Sequence, residues 1–241
     1  MGHIEFIGPP GAGKSALRQR LLRRDHFYDP ESTHAIKRAV GKFLGGRSGR
    51  MYLSTPDFAT KGIESHCLRY RFHRKATRDF ATNYPECIQS ISEGIAAVKH
   101  DPGGLANVMG RATGVFQLGV ETTRKDEIAC FDTSLTFRAI SILQRDPGQH
   151  FDLEQYVKSL PEPETVIYVD APSELCVKRQ EARGRVSGTQ PYMPADAVEN
   201  SEKYRAYCDE LAQLLEGRTS IIRVENSGRL SAAVDEVTDQ L

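Results

Sequence analysis

The sequence has no excess charge of either sign: 32 Lys and Arg stand against 32 Asp and Glu in 241 residues. Without a global positive field nothing calls for a nucleic acid partner. There is no run of 18 apolar residues, so no span of the bilayer is expected. Met1-Gly2-His3-Ile4-Glu5-Phe6 leads straight into an apolar strand, so no signal peptide is expected either. Gly2 does not read as a myristoylation site, because Phe6 stands where that motif wants Ser or Thr. The five cysteines (67, 87, 130, 176 and 208) are scattered, odd in number and free of CxxC pairs. That excludes a disulfide framework and a cysteine-based zinc site, and it predicts a cytoplasmic location. The 39% of apolar residues suffice for one sizeable core, or a core with an inserted lobe. Nothing in the pattern encodes an oligomeric state.

Against these absences, the alternation of element types is clear at both ends of the chain. His3 to Ile7 reads as a short strand, and residues 16–24 as a helix with Leu17 and Leu21 stacked at i, i+4. Residues 25–100 are polar and predict helices with long connections. Residues 105–122, apolar at mixed spacing, read as a helix after the break at Asp101-Pro102-Gly103-Gly104. Ile128 to Phe131 is a buried strand ending at Asp132, followed by a helix to about Arg145. Thr165 to Val169 is the strongest strand and ends at Asp170. Ser173 is expected to cap a helix reaching Arg183, with Gly184 terminating it. A helix over 196–216, a strand over 220–224 and a helix over 231–241 close the chain. Strands alternating with helices predict a mostly parallel sheet covered on both faces.

One segment carries the chemistry. Gly8-Pro9-Pro10-Gly11-Ala12-Gly13-Lys14-Ser15 fits G-x-x-x-x-G-K-[ST] at every fixed position, with an apolar strand before it and an amphipathic helix after it. The glycines let backbone N–H groups turn inward around phosphate oxygens. The helix that starts near Gly13 aims its positive end at the same oxygens. The motif assigns Lys14 to the β- and γ-phosphates and Ser15 to Mg²⁺. Gly8 to Ala16 is therefore the expected ATP-binding segment.

On these residues the chain resembles the P-loop kinases of small molecules, the group of thymidylate kinase, adenylate kinase and the deoxynucleoside kinases. Three parts carry the resemblance: Gly8 to Ser15, the strand ending in Asp132-Thr133-Ser134-Leu135, and Val166-Ile167-Tyr168-Val169-Asp170-Ala171-Pro172 leading to Arg179, Arg183 and Arg185. Thr133 stands where thymidylate kinases carry Arg, and no Glu-Arg-Ser occurs at this strand. The resemblance covers the first 24 residues and most of 127–241. It implies an α/β P-loop fold over 1–241 with strand order 2-3-1-4-5, a helical acceptor side in 25–126 and a lid in 179–195. It also implies that the loop Glu225-Asn226-Ser227-Gly228 lies near the adenine, with Asn226 among the nucleotide-binding residues.

Phosphoryl transfer needs positioning and charge neutralisation more than covalent help. Arg179 and Arg183, at i, i+4, and Arg185 beyond Gly184 are spaced to converge on a triphosphate; the same three also suit a solvated basic helix end. Asp132, at a strand's carboxyl end, is placed to hold Mg²⁺ or take a proton, and equally to cap a helix. Residues 61–80 hold six basic and two acidic residues, a local charge of +4 that suits an anionic acceptor or a solvated face. The expected function is transfer of the ATP γ-phosphoryl group to a small-molecule acceptor; the alternative is a non-catalytic ATP-binding sensor or adapter. No Asn-Lys-x-Asp occurs, which excludes a guanine-reading switch of that type, and the apolar runs do not end in paired acids as in mechanical ATPases.

Overall fold

Alternation along the strands decides which helices cover which face of the sheet. The computed structural model describes residues 2–56, 69–132, 135–146, 150–184, 196–228 and 230–241. Its strands are β1 His3–Ile7, β2 Phe27–Tyr28, β3 Ile128–Phe131, β4 Thr165–Asp170 and β5 Ser220–Glu225. They form one parallel sheet in the order β2-β3-β1-β4-β5, the order expected from the sequence. In the central register Ile4 lies between Cys130 and Thr165.

Eleven helices occur among the described residues: α1 Lys14–Leu21, α2 Thr33–Leu44, α3 Gly46–Ser54, α4 Arg69–Asn83, α5 Pro85–Ala97, α6 Pro102–Thr122, α7 Leu135–Leu143, α8 Leu153–Ser159, α9 Ser173–Glu181, α10 Ala197–Leu215 and α11 Leu230–Gln240. Ile4, Phe6, Ile167, Val169, Ile222 and Val224 share one sheet face and pack on Leu17 and Leu21 of α1 and Val234 and Val237 of α11. Ile7, Phe131, Val166 and Tyr168 share the opposite face, under side chains of α4 to α8 and α10 such as Phe80, Phe116, Ile140, Tyr156 and Leu211. Each such side chain contributes about 1.5–3 kcal/mol on full burial. A smaller cluster, with Ile36 and Val40 of α2, Ala76 of α4 and Leu118 of α6, joins the helical lobe to Tyr28 of β2.

Several sequence expectations need correction. Helix α1 begins at Lys14, next to Gly13 as the motif requires and two residues before the start read from apolar spacing, because the phosphate-loop signature itself supplies its first turn. Ser173 does not cap α9; it is the first helical residue. The cap position belongs to Pro172, whose extended backbone (φ −52°, ψ 139°) enters the helix without a side-chain cap bond. Helix α9 ends at Glu181, short of Arg183, and Gly184 follows with φ +64°. Asp170 is the last residue of β4 and accepts from Arg205 Nε at 3.1 Å, an ion pair that ties the strand end to α10. Strand β2 has only two residues and no periodicity to betray it. Among the described residues no helix is long and apolar enough to cross a membrane.

Candidate nucleotide site

The turn after β1 is forced into shapes that only glycine tolerates. Gly13 has φ +108°, and a Cβ on it would lie 2.2 Å from Asn226 Nδ2; Gly11 has φ +90°, and a Cβ there would lie 2.3 Å from the Cys176 carbonyl oxygen. A side chain at either place is therefore both strained and obstructed.

Accounting for the loop's backbone groups shows what this geometry achieves. Its carbonyls are capped from outside. Gln180 Nε2 donates to Pro10 O at 3.0 Å, Arg179 Nη1 to Gly11 O and Ala12 O at 3.4 and 3.3 Å, and Asn226 Nδ2 to Ala12 O at 2.6 Å. Arg179 Nη2 also donates to Asn226 O at 3.0 Å, tying α9 to the β5–α11 turn. The N–H groups behave oppositely. Ala12 N–H is used within the loop and Leu17 N–H by the helix, but among the described residues those of Gly11, Gly13, Lys14, Ser15 and Ala16 have no acceptor. Carbonyls held outward and donors left unassigned at a helix N-terminus make an anion-binding concavity.

Lys14 crosses the mouth of this concavity. Its Nζ donates to Gly8 O at 2.5 Å and Pro9 O at 3.1 Å, and it lies 4.6 Å from the centre of the Phe137 ring. Burial pushes its pKa down, and Asp132 is among the groups that pull it back up. Such an ammonium gains from an anion placed before it.

The carboxyl edge of the neighbouring strands supplies the acidic groups. Ser15 Oγ donates to Asp132 Oδ2 at 2.9 Å, so the two expected Mg²⁺ ligands, 117 positions apart, are adjacent. Asp132 N–H donates to Glu31 Oε1 at 3.0 Å. Glu31 is in turn placed by Asp29, which accepts from Glu31 N–H at 2.9 Å and pairs with the buried Arg18, whose Nε donates to Cys130 O at 2.9 Å. A relay of side chains thus fixes the ends of β2 and β3 against α1. Glu31 has no signature in the sequence; only the pairing of β2 with β3 brings it to Asp132.

The remaining expected residues fall differently. Arg179 is spent on the outer wall of the loop and braces it, instead of standing free over the phosphates. Arg183 is exposed, one residue beyond the helix cap, so the two do not share a regular helix face. Arg185 and the rest of the expected lid to residue 195 lie outside the described residues. Asn226 is buried with its side chain turned to the loop, so the side chain positions Ala12 and does not face a base. The basic segment is partly described. Arg71, Arg74, Lys75 and Arg78 of α4 line a surface cavity of about 380 Å³, and no residue of the phosphate loop lines it.

No protein-family model matches the sequence, and no curated protein does. Among solved structures, the chain is similar to a deoxyadenosine kinase from M. mycoides with bound dATP, with a TM-score of 0.53 and 11% identity over 99% of this chain and 98% of that one. It is also similar to the deoxyadenosine kinase from M. mycoides with the products dCMP and a flexible dCDP bound, with a TM-score of 0.50 and 13% identity over 99% and 97%. At such identities the likeness establishes the fold.

Proposed function

We propose that the chain is an ATP- and Mg²⁺-dependent phosphotransferase acting on a small molecule. The observation that carries this reading is the division of backbone groups at Gly8 to Ala16, with carbonyls capped outward and N–H groups unassigned, beside Lys14 and the Ser15–Asp132 pair. The fold shared with the deoxyadenosine kinases, and the dATP bound to one of them, support a nucleotide in this loop.

In this reading the N–H groups of Gly11 to Ala16 hold the phosphates, and Lys14 leaves the Gly8 and Pro9 carbonyls to neutralise the β- and γ-phosphates. Ser15 and Asp132 offer two oxygens to Mg²⁺, and this donor set fits, because Mg²⁺ on a nucleotide takes one or two protein oxygens and completes its shell with phosphate and water. Bound there, the ion offsets phosphate charge. The acceptor oxygen forms a bond to the γ-phosphorus while the bond to the β,γ-bridging oxygen breaks and ADP leaves. Where the acceptor is a hydroxyl, its proton passes to a carboxylate at this edge, Asp132 or Glu31. Arg179 keeps the loop in shape, Arg183 and Arg185 supply further positive charge beyond α9, and the backbone of 225–228 lies near the adenine.

The test is a transfer screen over nucleosides, nucleotides and sugars with ATP and Mg²⁺, run beside an equilibrium ATP titration. Acceptor-dependent ADP release is expected; tight ATP binding with no acceptor-dependent release would favour a sensor or adapter.

A further inference from the structure

Among the described residues, Arg138 of α7 is a cation without a bonded partner next to the proposed transfer site. Its side chain is partly buried, and its Nε is fully buried with no hydrogen-bond partner. A guanidinium has five N–H donors and no acceptor of its own. Taking one from water without partners is costly, and the usual remedies are a carboxylate partner or a ligand.

The carboxylates that could relieve it are close but directed elsewhere. The charges of Glu31 and Asp132 act on Arg138, yet neither accepts a hydrogen bond from it. Glu31 Oε1 takes the Asp132 N–H, and Asp132 Oδ2 takes the Ser15 hydroxyl. From the facing helix α6, Arg111 adds a second positive charge that acts against Arg138, while the Tyr156 hydroxyl donates to Leu135 O. Burial pushes the Arg138 pKa down, and Arg111 pushes the same way. Two guanidinium groups on packed helices, neither of them hydrogen-bonded to a carboxylate among the described residues, suit an oxyanion, because Arg matches the two-oxygen edge of a phosphate or carboxylate.

We propose that Arg138, assisted by Arg111, is the specificity element of the acceptor site, and that the acceptor carries an oxyanion, a phosphate monoester or a carboxylate. This rests on the phosphotransferase reading for its place in the reaction, but the oxyanion site stands on the side chains alone. The oxyanion settles between the two guanidinium groups and leaves the attacking oxygen toward Asp132. Neutral acceptors leave the buried Nε of Arg138 unbonded, and the site discriminates against them on that ground.

Matched pairs of compounds that differ by one oxyanion test this: adenosine and AMP, ribose and ribose 5-phosphate, glycerol and glycerate. The first two pairs probe phosphate and the third carboxylate. Each is measured by ADP release and, independently of turnover, by calorimetric binding to the protein. The oxyanion member of at least one pair is expected to win by tenfold or more. Arg138→Gln is expected to raise its KM or Kd roughly tenfold to a hundredfold, the loss of charge-assisted hydrogen bonds, with the KM for ATP unchanged. Arg138→Lys, which keeps charge but loses the fork, should fall between. Arg111→Gln changes an exposed side chain, keeps the fold, and should raise the same constant by a smaller factor. If no compound is phosphorylated but an oxyanion member binds in an Arg138-dependent way, the phosphotransferase reading fails and this inference survives. Neutral members bound as well as their partners would overturn it. So would an Arg138→Gln variant that lowers kcat equally for all acceptors at unchanged KM, which would assign Arg138 to the transferring phosphoryl group.

Discussion

On the nucleotide side of the sheet edge, side chains from α9 and the β5–α11 turn cap carbonyls of the phosphate loop, and the N–H groups of Gly11 and of residues 13–16 have no acceptor among the described residues. On the helical side, between α6 and α7, the Arg138 guanidinium feels the charges of Glu31, Asp132 and Arg111 and, among the described residues, bonds to neither carboxylate. The nucleotide side is ready for an anion through backbone dipoles, the helical side through whole charges. Backbone dipoles take up any phosphate chain, whereas paired guanidinium groups select among ligands by where an oxyanion sits. A general donor and a particular acceptor need this difference.

The largest expected effect is on the nucleotide side. Lys14→Ala should lower transfer on the order of 10²–10³-fold, the scale of losing one pre-placed cation or donor, while circular dichroism and the melting temperature stay near wild type. Wild-type ATP binding and transfer in this variant would break the comparison at its root.

Gly13→Ala comes next. The added methyl meets Asn226 Nδ2 at 2.2 Å in a backbone shape of φ +108°. A stability loss above about 1 kcal/mol and weaker ATP binding are expected, by thermal unfolding and titration.

Arg179 and Arg183 sharpen the comparison, since one braces the loop and the other is exposed. Arg179→Ala should raise the ATP Kd roughly threefold to tenfold, because the loop carbonyls lose a cap. Arg183→Ala should leave ATP affinity alone and act on single-turnover rate, since a contact made in the transition state shows there. Equal small effects on both quantities would remove Arg183 from the site.

The smallest effect belongs to the frame of the helical side. Arg38 of α2 pairs with Glu127 at the start of β3 through two bonds of 2.5 and 2.8 Å. The Arg38 guanidinium holds the Glu127 carboxyl below its ordinary pKa. A carboxyl with a depressed folded-state pKa stabilises above its unfolded value, and the contribution is lost as pH falls through the folded value. Glu127→Gln should therefore cost about 1–2 kcal/mol at neutral pH, and its melting curve should approach wild type below about pH 4.

The same contrast decides what could be read from the amino-acid order. The phosphate loop is eight consecutive residues whose spacing is itself the chemistry; β3 and β4 are apolar runs, and β1 and β5 carry enough apolar residues at strand spacing to declare themselves. The proposed acceptor side is assembled from distant places. Glu31, Arg111 and Arg138 come from three segments, none with a local signature, and β2 is too short to show a period. The basic run near α4 drew attention by composition alone, yet its described side chains line an outer surface. Asn226 was legible by position but not by direction: its amide is turned onto the Ala12 carbonyl by tertiary packing. Contiguous motifs survive in one dimension; sites built across helices do not.

The most direct measurement follows the label of γ-labelled ATP in a single turnover, with Mg²⁺ and each oxyanion acceptor in turn, for wild type and Lys14→Ala. The account predicts that label appears on an acceptor in wild type and is nearly abolished in Lys14→Ala. Label that stays on ATP, or reaches only water at an acceptor-independent rate, would contradict it.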